Sequence, residues 1–188
     1  MAEEPSPWVV RFAPLVPAAG EVLDVACGAG RHVRFFLAQG HSVTAVDRDV
    51  SGLADLTGSP GLTVIEAELE GGGPWPLEDL HFAGVVVTNY LHRPLFPALL
   101  TALAPGGALI YETFAAGNER FARPHSPDHL LRRGELLDVV RGKLRVVAFE
   151  DMEVAEPRPA VVQRICALAE ADTGSAGLGA TIRDRQRP

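Results

Sequence analysis

The 188-residue chain has only two cysteines, Cys27 and Cys166, and Lys143 is the sole lysine among its 17 basic residues. Two thiols so far apart, each inside an apolar run, make neither a disulfide framework nor a CxxC motif. Long apolar runs are also missing. The greasiest stretch, 94–111, is interrupted by Pro97, Pro105, Gly106 and Gly107, so it cannot span a bilayer. The acidic start at Glu3 and Glu4 lacks the basic-then-apolar layout of a signal peptide. A soluble, cytoplasmic protein with no membrane partner is the expectation. Positive charge is in deficit, with 24 acids against 17 bases and a net charge of -7. That balance removes any general attraction for phosphate backbones, so nucleic acid is not an expected partner. No metal is expected either. His125 and His129 stand four apart, but Pro127 lies between them and no metalloprotease glutamate accompanies them.

What is present is a regular alternation of elements. The hydrophobic fraction of 47% and charged fraction of 22% suit a globular domain with a real core. Apolar, β-branched runs at 21–26, 41–46, 62–67, 82–88, 108–113, 144–149 and 160–168 predict seven strands. Helical patterns are predicted at 31–39, through Leu53 and Leu56, from Pro94 to Leu103, and from His129 to Val140. Strands alternating with helices predict an α/β, doubly wound, mostly parallel seven-stranded sheet with helices on both faces. The last two strands lack an intervening helix and predict an antiparallel edge hairpin. The domain is expected to cover 8–170, after an N-terminal extension at 1–7 and before a disordered tail at 171–188.

The sharpest local feature runs from Val22 to Gly30, a strand that enters a Gly28-Ala29-Gly30 turn before a helix. Such a turn lets backbone N–H groups approach a ligand at the carboxyl end of the strand. The next strand ends at Asp47, nineteen residues after Gly28, where a carboxylate can accept from both hydroxyls of a ribose. A dinucleotide fingerprint would need a third glycine where Val33 stands, and no phosphate-binding lysine follows. Asp24, inside the strand itself, suits a ligand carrying an ammonium group near its adenosine.

These residues resemble the class I S-adenosylmethionine-dependent methyltransferases, and the likeness extends over 7–170. Pro74-Trp75-Pro76-Leu77, the 89–96 stretch and Tyr111-Glu112-Thr113-Phe114 are similar to small bacterial methyltransferases of the tellurite-resistance type. The resemblance implies a Rossmann-like methyltransferase fold and S-adenosylmethionine as cofactor. It implies a cofactor set of Asp24, Ala26, Gly28, Gly30, Asp47, Arg48, Glu68, Leu69 and Asn89, with Asp47 on the ribose and 66–70 along the adenine. Glu68 stands where many relatives carry Asp. Arg11, on one face of an N-terminal helix with Trp8, is placed to meet the methionine carboxylate or to serve as surface charge.

Methyl transfer from a sulfonium needs in-line positioning and a dry pocket, and needs a base only when the nucleophile must shed a proton. The candidates for catalysis are Tyr90 and His92 after the fourth strand and Glu112 near the end of the fifth. Each has a structural alternative: wall packing for Tyr90, a helix start for His92, and an ion pair with Arg120 or Arg123 for Glu112. Asn89-Tyr90 departs from the Asp/Asn-Pro-Pro-Tyr motif of enzymes that methylate nucleic-acid amino groups. Asn118, Arg120, Arg123 and His125 lie in the polar 115–128 loop, long enough to cover an acceptor. The expected activity is methyl transfer to a small molecule. The alternative is a non-catalytic cofactor-binding or scaffold protein of the same fold.

Overall fold

A computed structural model describes residues 4–156 and 158–171. The tail expected at 171–188 therefore lies outside the described residues from 172 onward. Seven strands form one sheet: β1 (Val22–Val25), β2 (Val43–Asp47), β3 (Leu62–Glu66), β4 (Phe82–Thr88), β5 (Leu103–Phe114), β6 (Arg145–Val154) and β7 (Ala160–Leu168). Their order is β3-β2-β1-β4-β5-β7-β6. The first five are parallel, and β7 runs antiparallel between β5 and β6. The expected fold class and edge hairpin are both present.

Four short helices, α1 (Pro7–Phe12), α2 (Arg31–Ala38), α3 (Phe96–Thr101) and α4 (Glu135–Val140), cover the two faces. The period-two alternation of the strands sorts the core. Leu23, Val25, Val85, Val87 and Tyr111 pack with Leu99 of α3 and Leu136 and Val140 of α4. Val22, Val86, Ile110 and Cys166 pack on the other side with Val9 and Phe12 of α1 and Val33 and Phe36 of α2. Both faces of the central strands are dry, which is why β4 reads as a continuous apolar run. Each fully buried side chain of this kind contributes roughly 1.5–3 kcal/mol.

Four elements differ from the sequence reading, and the first is β6, which runs on to Val154, five residues past its expected end at Phe149. The helix predicted over 129–140 is confined to Glu135–Val140. Gly134 is left-handed at its start, and Leu131 instead pairs with Ala115 in an isolated parallel bridge. The segment through Leu53 and Leu56 is a 3₁₀ turn, Ser51–Leu56. Strand β5 begins at Leu103 and not at 108, because Leu103 pairs with Phe82 across a register shift that absorbs Pro105-Gly106-Gly107. Among the described residues no helix is long and apolar enough to cross a membrane.

Candidate functional site

The strand order reverses between β1 and β4, and the chain leaves both strands in the left-handed region. Ala26 has φ +54° and Asn89 has φ +55°, a conformation that costs a residue with a side chain of order 1–3 kcal/mol. Such strain persists only where surroundings impose it, and here it marks the two ends of the crevice where doubly wound sheets bind ligands. Between them lies the glycine turn. Gly28 and Gly30 have φ +52° and +75°. The Gly28 N–H donates to Asp47 Oδ2 at 2.8 Å, which ties the turn to the end of β2.

The two glycines do different work. A Cβ on Gly30 would lie 2.2 Å from Leu53 Cδ2, whereas one on Gly28 would meet nothing within 4 Å. Gly30 is thus a packing requirement of the Ser51–Leu56 turn, and Gly28 borders open space. Gly30→Ala is expected to destabilise by about 2 kcal/mol or more, from strain plus the clash, and Gly28→Ala by about 1 kcal/mol from strain alone. Urea unfolding of the two variants checks the order; equal losses would remove the distinction.

Asp24 sits beneath this turn with 1% of its surface exposed, and its Oδ2 has no hydrogen-bond partner. Burial pushes its carboxyl up to about 7; neighbouring Arg31 opposes the shift and Asp47 adds to it. A buried carboxyl with one oxygen unpartnered is costly, and Arg31 offsets only part of that cost. Cys27 is the reverse case: burial, then Asp24 and Asp47, push its thiol up to about 12, which leaves a packing residue and no nucleophile.

Asp47 also accepts from the Asp49 N–H at 3.1 Å, so its carboxylate holds the turns on both sides of β2's end. Arg48 is exposed beside it. Glu68 is exposed and accepts from the Glu70 N–H at 3.0 Å, while Leu69 is half-buried against the α3–α4 core. The backbone N–H of Asn89 donates to the Glu112 carbonyl at 2.9 Å, which fixes the end of β4 to β5. The next residue, Tyr90, carries a buried hydroxyl that lies beside the Glu70 carboxylate without closing a hydrogen bond of good geometry. Burial, then Glu70, Glu68 and Asp47, push it well above the ordinary tyrosine range, so it is a neutral donor.

A cavity of about 210 Å³ opens beside Tyr90, lined among others by Glu70, Asn89, Thr113, Phe114 and His129. A larger one, about 380 Å³, lies toward the antiparallel edge among Ala115, Arg133, Asp151 and Met152; no residue of the glycine turn lines either cavity, and only the smaller one includes Asn89 at the end of β4.

Other candidates are held elsewhere. Glu112 faces α1, paired with Arg164 at 2.5 Å and accepting from Ser6 Oγ at 2.9 Å; its ion-pair partner is neither Arg120 nor Arg123. Arg11 reaches Glu150 of β6 at 3.7 Å and lies over the Phe12 ring at 4.9 Å. Its partner strand is the far edge of the sheet, three strands from β4 and four from β1. His92 is half-buried ahead of the Arg93–Leu95 3₁₀ turn and makes no capping bond. Asn118 is buried, accepting from the Val161 N–H and donating to the Ala122 carbonyl. Arg120 pairs with Glu153 at 2.9 Å, and Arg123 and His125 are exposed.

Two residues escaped the sequence reading. His32 is buried, accepts from the Ser6 N–H at 3.1 Å, and is held neutral by burial, then Arg31, with its pKa lowered to about 3. Ser6 caps α1 and bonds to Glu112 and His32. Only a pairing across 106 residues reveals this, and nothing in the local pattern announces it. Among the described residues no group of three His, Cys, Asp or Glu stands close enough to hold a metal ion.

No protein-family profile and no curated protein sequence matches the chain. Solved structures do. TehB from Haemophilus influenzae superposes with a TM-score of 0.68 at 15% identity, over 86% of this chain and 61% of that one. The chain thus spans less than two thirds of that protein's length. A 1,6-didemethyltoxoflavin-N1-methyltransferase from Burkholderia thailandensis, solved with its substrate and S-adenosylhomocysteine, gives 0.64 at 20% identity over 87% and 77%. The glycopeptide N-methyltransferase MtfA with S-adenosylhomocysteine gives 0.62 at 19% identity over 90% and 91%. At such identities the likeness shows the fold, that of S-adenosylmethionine-dependent methyltransferases.

Proposed function

We propose that the chain is an S-adenosylmethionine-dependent methyltransferase acting on a small-molecule acceptor. The observation that carries this reading is the buried Asp24 carboxyl, with one oxygen unpartnered, beneath a glycine turn that Asp47 ties to the end of β2. A ligand with an ammonium group satisfies Asp24, and its ribose hydroxyls fit the remaining lone pairs of Asp47. The surplus of carboxylates around the turn suits a sulfonium. Ala26, Gly28 and Gly30 would let it approach the backbone, with Arg48, Glu68, Leu69 and Asn89 along its sides.

When bound, the cofactor supplies an activated methyl group. The protein's share is alignment and exclusion of water, so no metal and no covalent intermediate is called for. Tyr90 lines the 210 Å³ cavity together with Asn89, at the end of β4 where an acceptor would sit. The cavity is below the roughly 300–1,000 Å³ of drug-sized sites, which fits a small acceptor.

S-adenosylhomocysteine is expected to raise the melting temperature of the protein, and Asp47→Ala to abolish the rise. Absence of any shift at saturating ligand would overturn the reading. Formation of S-adenosylhomocysteine from S-adenosylmethionine with a metabolite panel separates an enzyme from a non-catalytic binder.

A further inference from the structure

Ser6 stands just before α1 and is bound from three sides, with 3% of its surface exposed. Its N–H donates to His32 Nε2 at 3.1 Å, and its hydroxyl donates to Glu112 Oε1 at 2.9 Å. The same oxygen accepts from the Trp8 N–H at 3.1 Å. His32 and Glu112 are themselves buried, and burying an imidazole and a carboxylate is unfavourable unless each is bonded. Val9 and Phe12 already seat α1 in the core, so its packing alone requires neither group.

This clasp spans the crevice on one face of the sheet. Asp24, Thr88 and Glu112 occupy the neighbouring strands β1, β4 and β5, and by parity with Val22, Val86 and Ile110 they face α1 and α2. Thr88 is directly opposite Glu112 in the register, and its Oγ1 accepts from Arg31 at 3.5 Å. The first turn of α2 touches both Ser6 and Asp24: the His32 ring meets Ser6, while the Val33 N–H lies against the Asp24 carboxyl. Trp8 is fixed to β7 through its indole N–H, 3.3 Å from the Ile165 carbonyl. The 6–8 segment is thus anchored to α2, β5 and β7, on the face that holds Asp24.

Resting on the methyltransferase reading, we propose that Glu112 is a positioning residue: through the Ser6 hydroxyl it holds the 6–8 segment as the wall that encloses the methionine end of the cofactor beside Asp24. One Glu112 oxygen is engaged by Ser6 and the other by Arg164 at 2.5 Å, so neither is left for an acceptor. Excluding water here strengthens the pairing of the ligand's ammonium with Asp24. The nucleoside end lies toward Asp47 and the end of β2, and gains nothing from the clasp.

The test compares two ligands by calorimetric titration: S-adenosylhomocysteine, and methylthioadenosine, which keeps the nucleoside and the sulfur but lacks the amino-acid end. Ser6→Ala and Glu112→Ala are each expected to weaken S-adenosylhomocysteine about tenfold, the scale of one lost hydrogen bond to a charged group, and methylthioadenosine by less than about twofold. Glu112→Gln keeps an acceptor for Ser6, so it is expected to bind S-adenosylhomocysteine more tightly than Glu112→Ala does. If Glu112→Ala does not fold, Ser6→Ala, which retains the Glu112–Arg164 pair, carries the comparison. In the wild-type protein, S-adenosylhomocysteine is expected to slow hydrogen exchange of the α1 amides about fivefold, and methylthioadenosine to leave them unchanged.

Equal losses for the two ligands in Ser6→Ala, the result of a merely structural role, overturn the proposal. So does an unchanged affinity for S-adenosylhomocysteine in that variant, or an α1 that the bound ligand leaves unprotected. Failure of the wild-type protein to bind S-adenosylhomocysteine is a different result, and it counts against the methyltransferase reading itself.

Discussion

Asp24→Asn is expected to stabilise the ligand-free protein at pH 8 and, in the same variant, to abolish its response to S-adenosylhomocysteine. The Asp24 carboxyl titrates near 7 in the folded chain against 3.8 as its ordinary value, because burial outweighs the help of Arg31. The folded state therefore holds this proton more tightly than the unfolded one. Stability falls as pH rises from about 3.8 to 7, and above 7 the full penalty stands. A shift of this size corresponds to about 4 kcal/mol. Asn removes the charge but leaves an amide to satisfy, so a gain of about 2 kcal/mol, or roughly 4–8 °C in melting temperature, is the expected result. At pH 5 the gain should vanish, since the penalty has built up over only about one pKa unit there, roughly 1.5–2 kcal/mol, and no longer exceeds the cost of the buried amide.

The same group sets the pH dependence of binding. An ammonium beside Asp24 needs the carboxylate, so below pH 7 binding must expel a proton and affinity should fall about tenfold per pH unit. Above about 8 the ligand's own amino group loses its charge, which places the optimum between the two. Asp24→Asn should weaken binding by about two orders of magnitude, the cost of leaving a buried charge unpaired. Calorimetric titration from pH 5.5 to 8.5 checks both slopes. A flat profile for the wild-type protein would show that Asp24 is not the ammonium's partner.

How much of this was legible beforehand depended on the range of the interaction. Strands β4 and β7 match the sequence reading residue for residue, because an unbroken β-branched run in a two-sided core admits one reading. The glycine turn and Asp47 were legible because turn chemistry is local and their spacing is set by one βαβ unit. The start of α4 was misread because Leu130, Leu131 and Leu136 continue a helical period that Gly134 and the Ala115–Leu131 bridge interrupt. For Glu112, sequence pattern gave a neighbourhood and the wrong ion-pair partners. Glu112 faces α1, and its true partner Arg164 comes from β7, opposite it in the antiparallel register. Parity along β5 decides that side: Ala108 and Ile110 pack toward α1 and α2, and Glu112 follows in step.

Removing Arg93 should do more damage than any substitution in the cavity it supports. Its guanidinium donates to both oxygens of Glu135, at 2.7 and 3.0 Å, and to the carbonyls of Asp128 and Leu130, each at 2.8 Å. Burial would raise the Glu135 carboxyl, but the Arg93 bonds, helped by Arg132, bring it down to about 2. Arg93→Leu leaves a buried carboxylate with only the exposed Arg132 beside it, together with the half-buried Leu130 carbonyl. The expected loss is about 3–5 kcal/mol at pH 7, near 10 °C in melting temperature. The sign with pH follows from the depressed value: the pair's stabilisation is complete above about 4.5 and disappears as pH falls through about 2, so the gap between variant and wild type should narrow on acidification. A penalty below about 1 kcal/mol at pH 7 would show the pair to be dispensable. The two carbonyls also tie down His129, on the wall of the 210 Å³ cavity. Arg93→Lys keeps the charge without the planar fork, so it should recover part of the stability. S-adenosylhomocysteine binding should stay intact in that variant, because in the proposed reading the cofactor would be held from β1 and β2 and not from Arg93.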